Sequence, residues 1–141
     1  MARTPRKNPP FISAAPAPSE YQIEAAFEDY LIANQFAIRK RWPVFYWTHI
    51  ENEGHKHGKV AGARAKRLGK KAGVADRMIQ WRHPDLKTGG LGWIEFKAAK
   101  GKLTEPQSDF LKTQKAWGAQ TAVCYSCDEA VAALKAWGVV V

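Results

Sequence analysis

Two short extended segments, residues 76–81 and about 92–97, separated by a polar loop at 83–90, constrain this chain more than any other feature. On a strand alternate side chains share a face, so Glu95 and Lys97 point one way while Ile94 and Phe96 enter the opposite layer. If the strand carrying Asp76 pairs with this one, its carboxylate converges with Glu95, and Lys97 lies alongside. Such a trio suits metal-dependent phosphodiester hydrolysis. A hard divalent cation takes oxygen ligands from one or two carboxylates, keeps several waters and polarises the phosphate, while an adjacent ammonium holds the attacking water or offsets charge in the transition state. The backbone carbonyl of Phe96 is a candidate further ligand. Alone, Glu-x-Lys is an ordinary exposed ion pair. It gains weight from a strand-borne aspartate upstream, the glycine turn Gly73-Val74 before it, the basic turn Lys100-Gly101-Lys102 after it, and Gln107 at the head of the next helix.

The surrounding pattern places these residues in an α/β framework. Residues 1–18 carry Pro5, Pro9, Pro10, Pro16 and Pro18 among basic and small residues, which predicts an irregular arm. Ser19-Glu20-Tyr21-Gln22 is a capping box, and Ile23, Phe27, Tyr30 and Leu31 follow at helical spacing. Glu20 projects into the middle of that apolar stripe, Glu24 lies at its edge, and Glu28 falls farther out. Glu20 is either simply exposed at the helix end or part of the acidic site. Residues 44–50 are aromatic and β-branched and read as a strand. A second capping box, Thr104 to Gln107, opens a helix through Phe110, Leu111, Gln114 and Trp117. There Gln107 has two roles that compete for one side chain: closing the cap and serving the site. Residues 121–125 form another strand, and Ser126 starts a last helix through Val131, Leu134 and Trp137. The order helix, strands, helix, strand, helix predicts one domain over residues 19–141, with a mixed central sheet flanked by helices.

Charge bears on the partner. Lys+Arg 22 against Asp+Glu 13 gives +9 at pH 7, which favours a polyanion. From His55 to Lys71 there is no acidic residue, while Lys56, Lys59, Arg64, Lys66, Arg67, Lys70 and Lys71 are basic. Ala61, Ala63, Ala65 and Leu68 suggest helix there, and its position before the Asp76 strand makes it a candidate phosphate-contacting surface, together with Lys100 and Lys102. No apolar run is long enough to span a bilayer and no secretory signal is visible, so a cytoplasmic location and no membrane partner are expected. Cys124 and Cys127 form a C-x-x-C pair that could be a redox dithiol or half a zinc site. With no second pair, and with His55 and His57 far off in sequence, the preferred reading places Cys124 in the core and Cys127 at a helix start. Trp81 and Trp93 read as core or cleft wall.

Taken together, Glu20 on the first helix, Ile50-Glu51-Asn52-Glu53-Gly54, the basic stretch, Gly73-Val74-Ala75-Asp76, Ile94-Glu95-Phe96-Lys97, Gly101-Lys102-Leu103-Thr104 and Gln107 resemble the VRR-NUC domain, the virus-type replication-repair nuclease branch of the PD-(D/E)xK superfamily. The resemblance covers residue 19 to the C-terminus. It implies a restriction-endonuclease-like core and Mg²⁺- or Mn²⁺-dependent DNA cleavage. It also implies Asp76 and Glu95 as metal ligands, Lys97 as catalytic lysine, Gln107 as active-site helper and Glu20 as first-helix acid, with Glu24 its rival. The chain departs from the family pattern at Ala75, where proline is usual, and at Glu53, which interrupts an Asn-Gly turn; neither removes a metal ligand. Small standalone members are similar to Holliday-junction resolvases and act as homodimers on branched DNA, in bacteria or virus-infected cells. The leading expectation is thus a structure-selective endonuclease. Its rivals are a non-catalytic nucleic-acid-binding module of the same fold and a site-specific restriction-type enzyme.

Overall fold

The structure, a computed structural model, describes residues 15–51 and 58–141. Helix α1 (Glu20–Arg41) starts where the capping box requires: Ser19 Oγ accepts the Gln22 N–H at 3.1 Å and Gln22 Oε1 accepts the Ser19 N–H at 2.9 Å. It runs to Arg41, and Pro43, which cannot donate to a helical carbonyl, bars its continuation. Strand β1 (Val44–His49) follows, then the short helix α2 (Gly58–Arg67), β2 (Arg77–His83), β3 (Thr88–Phe96), α3 (Glu105–Ala116), β4 (Gln120–Cys124) and α4 (Cys127–Ala136). The sheet has the order β1-β2-β3-β4, antiparallel from β1 to β3 and parallel between β3 and β4. The parallel step needs a crossover, which α3 supplies. A mixed sheet with flanking helices is the predicted α/β class. Among the described residues no helix is long and apolar enough to cross a membrane. Most of the predicted N-terminal arm, residues 1–14, lies outside the described residues, as does 52–57, which includes Lys56, His55 and His57.

Strand boundaries differ from the sequence reading: β1 ends at His49 rather than residue 50, β2 runs on to His83, β3 ends at Phe96, and β4 is Gln120–Cys124 rather than 121–125. Strand β3 begins at Thr88, and the connection from β2 is the turn at 84–87 rather than a loop reaching Gly90. Gly89 and Gly90 read as turn residues, yet Gly90 pairs directly with Trp81, and a Cβ there would stand 2.4 Å from the indole Cζ2. The glycine is a seat for the Trp81 ring. Strand β2 begins at Arg77, so Asp76 occupies a bend immediately before the strand.

Alternation sorts β3 cleanly. Ile94 and Phe96 enter the core with Ile79, Trp81, Phe45 and Cys124, covered by Ile23, Phe27, Leu31 and Ile38 of α1 and Ala130 and Leu134 of α4. Phe27 is fully buried, its ring 5.6 Å from that of Phe96, so truncation to alanine costs about 3–5 kcal/mol. Trp81 stacks on Trp137 at 5.9 Å in this same core. On the opposite face Trp93 meets α3, donating to Gln114 Oε1 at 2.9 Å and standing edge-on to Phe110 at 5.0 Å. Cys124 is core as expected, and burial, reinforced by the Glu129 charge, pushes its thiol up to about 12. Cys127 opens α4 half-buried, and both thiols are free.

Candidate active site

The register Arg77↔Ile94 closes the β2–β3 ladder, so the next step places Asp76 level with Glu95. Three neighbours fix it there. Asp76 Oδ2 accepts the Phe96 N–H at 2.7 Å, the Asp76 carbonyl accepts the Ile50 N–H at 2.7 Å, and Ala75 behind it is buried. Upstream, Gly73 has φ +84° and lies so close to the start of α3 that a Cβ would fall 2.4 Å from the Pro106 carbonyl carbon. The backbone thus approaches the helix that carries Gln107 as only glycine permits. Because the N–H and C=O of one strand residue point to the same side, the Phe96 carbonyl also faces the strand end where Asp76 lies.

Glu95 and Lys97 share a face, as alternation requires, and both are buried, at 2% and 8% exposed. Lys97 Nζ stands 3.4 Å from Glu95 Oε1. The same oxygen accepts Gln107 Nε2–H at 2.8 Å, while Gln107 Oε1 accepts the Thr104 N–H at 2.9 Å. Gln107 therefore closes the cap and holds Glu95 at once, because the amide has a donor end and an acceptor end. Glu95 Oε2 is left: it is fully buried and has no hydrogen-bond partner among the described residues.

The electrostatics follow from this placement. Burial, then the neighbouring Asp76 charge, push the Glu95 carboxyl up to about 7; the Lys97 charge and hydrogen bond pull it down and Glu20 adds a smaller upward push. The Asp76 carboxyl is also raised, by burial first, against the lowering effect of the Phe96 N–H; Glu24 and Glu20 push it up and Lys97 pulls it down. Two carboxylates that resist ionising together, one with an orphaned buried oxygen, fit a hard cation. No group of three or more His, Cys, Asp or Glu side chains among the described residues could hold a metal ion. The oxygen donors brought to this end of the sheet are the Asp76 and Glu95 carboxylates and the Phe96 carbonyl.

The two first-helix acids are distinguished. Glu24 Oε1 takes the Arg77 Nε–H at 2.6 Å and lies 2.6 Å from His49 Nδ1, so it is committed to an ion pair. Glu28 pairs with Arg77 Nη1 and accepts the Trp47 indole N–H at 3.1 and 3.2 Å. Glu20 is exposed at the head of α1, and its charge reaches both Asp76 and Glu95. Of the basic candidates, Lys100 and Lys102 are exposed in the turn after β3, where the Tyr125 hydroxyl donates to the Gly101 carbonyl at 3.0 Å. Lys59, Arg64, Lys66 and Arg67 on α2, and Lys70 and Lys71 after it, are exposed, and α2 buries nothing. Arg77 escaped the sequence reading. Its signal was a cation at an inward position, in step with Ile79 and Trp81, which demands buried partners; Glu24 and Glu28, one turn apart on α1, supply them.

No family model matches the chain, and no curated protein matches it. A solved structure described as a VRR_NUC domain protein aligns with a TM-score of 0.65 over 89% of this chain and 93% of its own, at 16% sequence identity. The chain has the fold of that VRR_NUC domain protein, an α/β architecture.

Proposed function

We propose that this protein is a divalent-metal-dependent endodeoxyribonuclease that acts on branched DNA, in the manner of a Holliday-junction resolvase. The observation that carries the reading is the buried Glu95 Oε2, without a hydrogen-bond partner among the described residues, close to Asp76 and Lys97, against which Gly101 of the basic turn packs. Mg²⁺ or Mn²⁺ held by Asp76, Glu95 and the Phe96 carbonyl would polarise the scissile phosphate and make its bound water acidic enough to attack at neutral pH. The chain's own groups do the rest. Gln107 holds Glu95 Oε1 so that Oε2 remains for the cation. The Phe96 N–H orients Asp76. Lys97 places a positive charge beside Glu95, suited to holding the attacking water and offsetting charge on the phosphorane oxygens. Glu20 adds an acid at the rim. As the water oxygen bonds to phosphorus it gives up a proton to solvent, the ester P–O bond breaks, and the leaving oxygen takes a proton from solvent.

The exposed cations of α2 and of residues 100–102 suit DNA backbone contact. A homodimer with two-fold symmetry would present two such sites to the paired strands of a four-way junction. The test is incubation with four-way junction, flap, duplex and single-stranded DNA in Mg²⁺, Mn²⁺ or EDTA, alongside Asp76→Ala and Lys97→Ala. Scission of the junction that needs metal and vanishes in both variants is expected. Scission persisting in both refutes the site, and equal cutting of duplex and junction refutes the preference for branches. Metal-independent binding without scission would return the non-catalytic module.

A further inference from the structure

We propose that Arg77 is a positioning residue for the metal site, a two-pronged clamp that fixes Asp76 and the head of α1 relative to each other; this rests on the metal-site reading above. Arg77 follows Asp76 directly, and its side chain leaves the opposite face of the strand, into the core layer, at 7% exposure. There Nε reaches Glu24 and Nη1 reaches Glu28, so one guanidinium spans two successive turns of α1. His49 and the Trp47 indole close the cluster from β1.

Stability alone does not explain an arginine here. Burying a guanidinium and carboxylates costs desolvation that their attraction only roughly repays, and well-packed apolar residues usually serve a core as well or better. Geometry does explain it. A planar fork bound to two acceptors fixes both distance and orientation, which neither an apolar side chain nor a lysine achieves. Three constraints then meet at Asp76: the Phe96 N–H on its carboxylate, the Ile50 N–H on its carbonyl, and the Arg77 fork one residue on. The fork serves α1 equally. Glu20 lies one turn before Glu24 on the same helix, so anchoring Glu24 sets where Glu20 stands above the carboxylate pair. It also occupies Glu24, leaving Glu20 as the first-helix acid for the site.

The test measures Mn²⁺ affinity by calorimetry, with metal-free DNA binding and thermal melting in parallel, for Arg77→Lys, Glu28→Ala and the double variant. Arg77→Lys keeps the charge and loses the fork. The expected results are a loss of Mn²⁺ affinity of about tenfold for Arg77→Lys and a smaller loss for Glu28→Ala, whose polar partners among the described residues are Arg77 and Trp47. The double variant should be no worse than Arg77→Lys, since Glu28 acts through Arg77. DNA binding in EDTA should not change. A mere strut would lower the melting temperature and leave Mn²⁺ affinity within twofold of the parent well below the transition, and that result overturns the proposal. Should Arg77→Lys fail to fold, Glu28→Ala decides alone, and an unchanged affinity again overturns it. If the parent protein binds Mn²⁺ no better than Asp76→Ala does, the metal site itself has failed, and the clamp falls with it.

Discussion

If the carboxylate pair holds a cation as proposed, proton and metal compete for the same buried oxygens, and the competition can be sized. The Glu95 carboxyl is pushed from an ordinary 4.5 up to about 7, chiefly by burial and then by Asp76. Its pKa is raised on folding, so between those two pH values the folded protein holds a proton that the unfolded chain has released. Stability of the metal-free protein therefore falls as pH rises through this window, by about 3 kcal/mol in all, and is flat with respect to this group below 4.5 and above 7. A cation must displace that proton. Apparent affinity should then be about tenfold weaker at pH 6 than at pH 8, with release of about 0.9 proton per metal at pH 6 and about 0.1 at pH 8. Because Asp76 and Glu95 interact, the proton belongs to the pair, and Glu95→Gln should abolish most of the pH dependence along with most of the affinity. Calorimetric Mn²⁺ titrations in two buffers of different ionisation enthalpy read both quantities. An affinity flat from pH 6 to 8, or no proton release at pH 6, would refute the argument that burial and mutual repulsion hold this pair protonated.

Other changes test the framework around the pair. Gly73→Ala forces a left-handed backbone on alanine and drives a Cβ to 2.4 Å from the Pro106 carbonyl carbon; a loss of about 2 kcal/mol or more in urea denaturation is expected, with loss of metal binding. Gln107→Ala removes the acceptor of the Thr104 N–H and leaves Glu95 Oε1 with Lys97 alone among the described residues, so it should cost about 1–2 kcal/mol in the same assay and weaken cleavage; unchanged cleavage would show that residue 95 needs no such hold. Neutralising Lys66, Arg67 and Lys70 together should reduce the slope of log affinity for DNA against log salt by about 3, and an unchanged slope would remove α2 from the DNA path.

What the sequence revealed follows from which physical rules are local. Alternation along 94–97 gave the face shared by Glu95 and Lys97, and the hydroxyls of Ser19, Thr104 and Ser126 marked three helix starts, because capping is settled within four residues. Tertiary contacts were not legible in the same way. Gly89 and Gly90 signal a turn locally, and only the Trp81 ring across the ladder makes them strand. Glu20 and Glu24 lie on neighbouring parts of one helix face, and nothing within α1 says which is consumed; the answer comes from Arg77, on a strand more than fifty residues away. Asp76 was placed inside its strand although it bends out just before it, since a bend of one residue has no periodicity to announce it.

The shared amide of Gln107 has a temporal meaning as well. Its acceptor end belongs to helix initiation and its donor end to the orientation of residue 95, so the carboxylate takes this hold from the first turn of α3. A nascent or partly melted chain whose third helix has not begun cannot present a finished carboxylate pair. Orientation of the Glu95 carboxyl is thereby tied to formation of the third helix.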